Sequence, residues 1–363
     1  MKRIIRTSLA LLLVLLCVTG SALAAAADTP EKLTIACSNV GGLPIPALFA
    51  PEHKIVPRAE KLLGRMLNAN GADIVCVQED FQYHDLLAKQ MTDYPYRTFT
   101  SGGIPAGDGL NVFSKYPIYN VERVTWTTFN GILKYDNDGL TPKGFLKCTV
   151  DAGGVLIDLY NIHTDASRAE ADQLAKRAQF EQLAAYIHAH SQDRPILITG
   201  DFNCSLHTYL LSNFYEIMLR DEGFTDAWVE VVNGGDCLHG DDADERIAAY
   251  TAQYGETFKG YWDSYERLLS RDGDGVHFTP TEHTYTFYTD KLNRPQALTD
   301  HAVMECTVEL DAADYVRPET QLQPPTDRKW TEKLTHSLQM VARCLKLIFT
   351  DLTDWIFRGK PLQ

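Results

Sequence analysis

Apolar residues recur along this chain in runs of two kinds. KLTIACSNV, ADIVCVQED, GLNVFSKYPI, GFLKCTV, GVLIDLYNIH, RPILITGDFN and ALTDHAVMECTVEL are nearly continuous and rich in β-branched residues. Such runs read as strands covered on both faces. Other stretches space their apolar residues three or four apart. Residues 57–70 carry Ala59, Leu62, Leu63, Met66 and Leu67 on one side of a helix, and Arg168 to His190 reads as a longer one. Strands with helices between them imply sheets covered by helices. There is no repeat of fixed period and no break in composition before residue 311, so one α/β domain over residues 31–312 is the economical organisation.

The two ends differ from this middle. Lys2, Arg3 and Arg6 precede an apolar stretch from Leu9 to Val18 that is too short to span a bilayer comfortably, and Ala22-Leu23-Ala24 supplies a small-x-small pattern. This predicts a signal peptide over residues 1–26 and a secreted or periplasmic protein. Residues 313–325 are rich in Pro and Gln and read as a linker. Residues 326–358 lack Pro and Gly, and Trp330, Leu334, Leu338, Val341, Leu345, Ile348, Leu352 and Trp355 recur at spacings of four and three. That is one stripe of a long amphipathic helix. Two roles stand open for it. It docks on its own domain or pairs with another chain. Alternatively it lies on a membrane surface, with Trp330, Phe349, Trp355 and Phe357 as interfacial aromatics and Lys333, Arg343 and Lys346 near the headgroups.

Composition narrows the class. The chain has 363 residues, 45% hydrophobic and 23% charged, which is ordinary for a globular protein. A net charge of −14 argues against a charge-driven grip on DNA or an anionic membrane by the chain as a whole. A local basic or metal site remains compatible with it. Of eight cysteines, Cys37, Cys76, Cys148 and Cys306 fall inside strand-like runs and read as small buried hydrophobes. With Cys17 in the leader the mature count is odd, and no CxxC pair exists. A full disulfide framework is therefore not expected, although one bridge stays open.

The chemistry gathers where strands stop. Asn39 follows LTIACS, Glu79 follows DIVCVQ and His163 follows IDLYNI. Asp201 and Asn203 follow ILITG, and Asp300 and His301 open the last strand. A strand end is where a rigid sheet presents a side chain at a cleft. The oxygen donors suit Mg²⁺ or a similar cation, and two histidines can handle protons. Singly, each residue has an ordinary explanation: a turn cap for Asn39, a solvated loop for Glu79, structural imidazoles for His163 and His301, a turn for Asp201 and Asn203.

In order, SNV, QED, GLNVFSKYPI, YNIHTDAS, ITGDFN and LTDHAV resemble the endonuclease/exonuclease/phosphatase superfamily. The resemblance covers roughly residues 31–310. It implies a four-layer α/β sandwich, with two mainly antiparallel sheets face to face and helices outside. It also implies divalent-metal-dependent hydrolysis of a phosphate ester, with Mg²⁺, or Mn²⁺ or Ca²⁺, as cofactor. Residue by residue, it gives Glu79 as a metal-binding carboxylate, with Asn39 beside it and Asp300 as further metal-binding positions. Asp201 would orient or deprotonate water, Asn203 would hold the phosphate and His301 would stabilise the phosphorane. His163 would contact the phosphate and serve as a proton donor. One departure is clear: where many members have an Arg-x-Asp-Tyr-type strand, this chain has SYERLLSR, so Glu266 stands in place of that Asp. Asp165 and Asp226 read as acids bonded within their loops.

Within the superfamily, TPKGFLKCTV resembles an element of neutral sphingomyelinases, which makes Lys143 a candidate phosphate contact. No hydrophobic hairpin with paired aromatics is evident; Trp126 and Phe129 are the nearest candidates. The expected function is a secreted, sphingomyelinase-like lipid phosphodiesterase, with peripheral membrane contact through the terminal helix. A secreted nuclease or a phosphoinositide phosphatase is the alternative, nucleic acid ranking below lipid as a partner. Gly234 to Glu245 reads as a solvated acidic loop. The sequence leaves the oligomeric state open.

Overall fold

Two parallel strand pairs set the frame of the molecule. In a computed structural model, residues 29–44, 56–133, 135–204, 210–237, 265–290 and 297–358 are described, with single residues at 245 and 252. The expected signal peptide and most of the 234–245 loop lie outside the described residues. The strands are β1 (Lys32–Asn39), β2 (Ile74–Gln78), β3 (Tyr96–Arg97), β4 (Asn111–Ser114), β5 (Ile118–Thr125) and β6 (Gly144–Ala152), then β7 (Val155–His163), β8 (Ile196–Asp201), β9 (Thr225–Asp226), β10 (Glu266–Arg271), β11 (His277–Thr286) and β12 (Val303–Asp311). The α-helices are α1 (Val56–Asn70), α2 (His84–Ala88), α3 (Glu170–His190), α4 (Ala227–Val231) and α5 (Trp330–Arg358).

One six-stranded sheet has the order β11-β12-β1-β2-β4-β3, the other β5-β6-β7-β8-β10-β9. Within each, only β1 with β2 and β7 with β8 run parallel; the other pairs are antiparallel. The sheets pack face to face. Ile35, Cys37 and Cys306 of one share an apolar core with Cys148, Leu159 and Leu197 of the other. Successive strand residues point to opposite faces. The alternate set, Ala36, Val75 and Val77, therefore packs outward against Ala59, Leu63 and Leu67 of α1. On the far side Ile196 and Ile198 pack against Phe180, Leu183 and Ile187 of α3. The result is the expected four-layer α/β sandwich. Both faces of the central strands are covered, which is why their sequences are near-continuous apolar runs.

Buried amides join the sheets below one end. Gln78 Nε2 donates to Asn161 Oδ1 at 2.7 Å, and Asn161 Nδ2 donates to the Val77 and Asn111 carbonyls at 3.0 and 3.1 Å. All seven cysteines from Cys37 to Cys344 are free, so the bridge left open does not form among the described residues.

Some elements differ from the sequence reading. GLNVFSKYPI is two strands: the chain leaves β4 in one sheet and enters β5 in the other at Lys115-Tyr116-Pro117. Proline has no N–H for a ladder, so the run breaks there. The last strand begins at Val303, and Asp300 and His301 lie in the bend before it. The edge strand β11 was hidden by Pro280 and by a bulge between Pro280 and Glu282.

Candidate active site

Because β1, β2, β7 and β8 form the two parallel pairs, each pair delivers its C-terminal residues at one end. Asn39 lies opposite Gln78 in the β1–β2 register, and His163 lies opposite Asp201 in the β7–β8 register. The ends meet across the sandwich: Asn39 Nδ2 donates to Asp201 Oδ2 at 3.0 Å and to Glu79 Oε1 at 3.2 Å. The Asn39 Oδ1 accepts the Gly41 N–H at 3.1 Å, which fixes the amide with its NH₂ toward the two carboxylates. Asn39 therefore acts here as a donor bridge between acids.

Glu79 is aimed by an unusual backbone. Its φ is 56°, the left-handed region, which costs a residue with a Cβ about 1–3 kcal/mol. The neighbouring chain leaves no slack: a Cβ on Gly109, itself at φ +73°, would lie 3.0 Å from Glu79 Cα and 2.7 Å from the Phe81 ring. Asn203 also has a positive φ, 45°. Its N–H donates to Asp201 Oδ1 at 2.9 Å and its side-chain Nδ2 to the Thr164 carbonyl at 3.3 Å.

The two imidazoles occupy opposite protonation states. His163 is buried, with Nε2 3.6 Å from Asp201 Oδ2. Burial and the nearby Lys143 outweigh the Asp201 attraction and push it down to about 3. It is a neutral ring at pH 7, not an imidazolium. His301 is held by Glu266, whose Oε1 is 2.5 Å from Nδ1, and Nδ1 lies 3.9 Å from Asp201 Oδ2. Burial disfavours its charge, but Asp201 and Glu266 prevail and push it up to about 10. Asp201 follows the same balance: burial would raise its carboxyl, yet His301, His163 and the Asn39 amide hold it below the usual range. The site thus contains an ionised carboxylate beside a protonated ring, a separation of acid and base produced by environment.

Lys143 reaches this cluster from β6's approach. Its Nζ donates to Asp138 Oδ1 at 2.6 Å and to the Thr164 carbonyl at 3.2 Å, the same carbonyl that Asn203 contacts. Burial opposes its charge, but Asp138 and Asp165 raise its pKa. Asp300 is exposed beside the β1 turn: Thr299 Oγ1 lies 2.9 Å from the Asn39 carbonyl and 3.3 Å from Asp300 Oδ1. Asp165 accepts the Asn130 N–H at 2.8 Å, and Asp226 caps α4 and meets Arg267 at 2.7 Å.

Two acidic groupings bear on a cation. Ligand atoms of Asp201, Glu266 and His301 lie within 4.8 Å of one another, with His301 Nδ1 already bonded to Glu266 Oε1. The oxygens around Glu79 fit a hard cation better. Glu60 lies buried under this loop, and among the described residues neither of its oxygens has a hydrogen-bond partner; Asp80 Oδ1 has none either. Burial pushes the Glu79 carboxyl up, and Lys143 and Asn39 counter that only in part. This surplus of carboxylate oxygen is chemistry that a divalent cation relieves.

Glu266, Glu60 and Asp138 were missed or left without a role by the motif pattern. Glu266 was findable in principle, because β10 pairs with β8 so that Glu266 faces Asp201. Glu60 carried no signal, being one polar residue on an amphipathic helix.

A profile described as Endonuclease/Exonuclease/phosphatase family matches residues 39–303. Sphingomyelinases of Mycobacterium tuberculosis and Mycobacterium bovis are 34% identical over 207 residues, which is 54% of this chain and 38% of theirs. The chain's match thus spans 38% of the length of these curated relatives. A crystal structure of humanized D. rerio TDP2 is similar with a TM-score of 0.54 at 18% identity, over 77% of this chain and 100% of that one. A mutant beta toxin from Staphylococcus aureus with bound magnesium ions is similar with a TM-score of 0.50 at 17% identity, over 76% of this chain and 99% of that one. Likeness at this level is likeness of fold.

Proposed function

The chain belongs to the endonuclease/exonuclease/phosphatase family, and we propose that it is a sphingomyelinase-like phosphodiesterase that cleaves a choline-type lipid ester with the help of a divalent cation. The observation that carries the chemistry is the cluster in which Asp201 Oδ2 lies 3.6 Å from His163 Nε2 and 3.9 Å from His301 Nδ1, with surroundings that hold the Asp201 carboxyl low and the His301 ring high. The lipid assignment is supported by the 34% identity to curated sphingomyelinases.

In this reading Asp201 accepts the proton of the attacking water, and the Asn39 bridge fixes which way its carboxylate faces. The His301 imidazolium, locked at Nδ1 by Glu266, offers Nε2–H to the charge that builds on the phosphate. Neutral His163 holds the other side of Asp201 and has one N–H to give. Asn203 and Lys143 contact the phosphate oxygens. Glu79 would hold Mg²⁺, Mn²⁺ or Ca²⁺, with Asp300 on the neighbouring bend as a further oxygen donor; when bound, the cation would draw charge from a non-bridging oxygen. Export belongs to the same proposal and rests on the leader pattern around Lys2, Leu9–Val18 and Ala24. N-terminal sequencing of native protein that begins at Met1 would remove it.

The deciding assay incubates the purified protein with Mg²⁺ and, in parallel, sphingomyelin vesicles, plasmid DNA and a phosphoinositide, each with an EDTA control. Phosphocholine release abolished by EDTA is the expected result. DNA nicking or phosphate release from the phosphoinositide, without phosphocholine, overturns the lipid assignment.

A further inference from the structure

The terminal helix α5 is held to the domain by one flank, and most of its apolar stripe points away, with Ile348 and Leu352 half-buried at its margin. His336 Nε2 lies 2.9 Å from the Ala106 carbonyl. Arg343 donates to the Gly139 carbonyl at 2.7 Å, with its guanidinium 4.7 Å above the Phe129 ring. Cys344 Sγ meets the Leu140 carbonyl at 3.6 Å, and Asp351 Oδ2 accepts the N–H groups of Ile132 and Leu133 at 2.8 and 2.9 Å. Cys344 and Asp351 are the buried positions of the helix. A helix docked for hydrophobic burial would turn its stripe inward. Here Leu334, Leu338, Val341, Leu345, Phe349 and Ile356 form one line on the open side, with Leu345 63% and Phe349 70% exposed. Trp330, Trp355 and Phe357 stand exposed at the ends of the same helix.

Charge separates this element from the rest. Residues 328–358 hold six basic side chains against three acidic ones, in a chain whose net charge is −14. One acid, Asp351, and one base, Arg343, are spent inside the docking contact, which leaves five basic side chains against two acidic ones. Among the described residues no helix is long and apolar enough to cross a membrane. An outward apolar stripe on a locally basic helix that cannot span fits the plane of a bilayer interface.

We propose that the outer face of α5 seats the protein on a lipid bilayer carrying anionic headgroups. The choice of a bilayer over a protein partner rests on the lipid-ester reading above. The seat is mechanically tied to the cleft. Gly139 and Leu140, which α5 grips, directly follow Asp138, which holds Lys143 at 2.6 Å and accepts the Ala166 N–H at 3.0 Å. A membrane under α5 is therefore at a fixed position relative to the Lys143–Asn203 side of the site.

The test uses the purified chain with Asp201→Asn to silence turnover, cosedimented with phosphatidylcholine vesicles with and without phosphatidylglycerol. The comparison variant adds Leu338→Asp, Leu345→Asp and Phe349→Asp, all outside the catalytic groups. Expected are binding to the anionic vesicles, at least a tenfold loss of it in the triple variant, and unchanged thermal unfolding. In the active background the triple variant keeps its turnover on a soluble phosphodiester. Three results would overturn the proposal: no vesicle binding by the parent, equal binding by the triple variant, or a dimer in sedimentation that the triple variant dissolves, which makes the stripe a seam between copies. Vesicle binding by the chain with Asp201 intact, without release of phosphocholine from sphingomyelin included in the vesicles, would leave the seat standing and remove the lipid-ester reading instead.

Discussion

Glu266 Oε1 lies 2.5 Å from His301 Nδ1, and the contact crosses from the sheet of β10 to the bend that leads into β12 of the other sheet. The longer side chain of Glu reaches the imidazole from a position directly opposite Asp201. A buried anion against Nδ1 fixes the ring and keeps its proton to high pH.

Removing that anion has a signed consequence. Glu266→Gln should lower the His301 pKa from about 10, so the alkaline limb of the pH–rate profile moves toward neutrality by at least about one unit. Activity at pH 7 should fall less than in His301→Ala. An alkaline limb that stays in place would detach Glu266 from the mechanism.

Asp201→Asn and His301→Ala should each lower turnover by about 10²- to 10⁴-fold, the usual worth of a general base or a charge-stabilising donor. Circular dichroism should show an intact fold. Near-normal activity in either variant contradicts the roles assigned here.

The same histidines shape stability. His163 sits at about 3 when folded, against about 6.5 in an unfolded chain. The unfolded state takes up a proton first as pH falls, so stability declines from near pH 6.5 downward. His301, at about 10 when folded, works in the other direction: its contribution is full below pH 6.5 and is lost as pH rises through 10. Melting temperature against pH should therefore peak near neutrality. His163→Asn should flatten the acid side of that curve and His301→Asn the alkaline side.

Asp226 and Arg267 form a buried ion pair at 2.7 Å, both nearly inaccessible to water. Asp226→Asn keeps an acceptor for the α4 N–H groups but strands the Arg267 charge, for a cost of about 3–5 kcal/mol. Urea unfolding reads this directly, and a change under about 1 kcal/mol would show that water or another group compensates.

Glu79→Gln should weaken Mg²⁺ binding by at least about tenfold in calorimetry, because a hard cation loses its charged oxygen. Equal affinity in the variant would move the cation site elsewhere, with the surplus oxygens of Glu60 and Asp80 the next place to look.

Much of this architecture was legible in the residues. Runs such as IVCVQ and ILITGD are apolar on both faces because sheets and helices cover both sides, and their polar last residues mark the cleft. What stayed hidden depended on pairing between distant segments. Glu266 gains its meaning from a register with β8, 65 residues earlier, that no local pattern records. Docking of α5 on its own domain was one of the two roles the sequence left open, but the flank that docks was hidden for a related reason. Periodicity identified the stripe, but the hydrogen bonds of Arg343 and Asp351 decide which flank faces the domain. Trp126, a candidate surface aromatic, is instead buried with its Nε1 on the His163 carbonyl at 2.8 Å.

The Gln78–Asn161 amide pair has a wider consequence. One sheet supplies Asn39 and Glu79 and the other supplies His163, Asp201 and Glu266, so neither half holds a working constellation. A shift of one sheet against the other would separate these groups and dismantle the chemistry. Turnover is thus a gauge of shear between two layers, and the amide pair is the dowel that holds the gauge at zero. Under gentle denaturant the proposed phosphodiesterase activity should be lost before the far-UV circular dichroism changes.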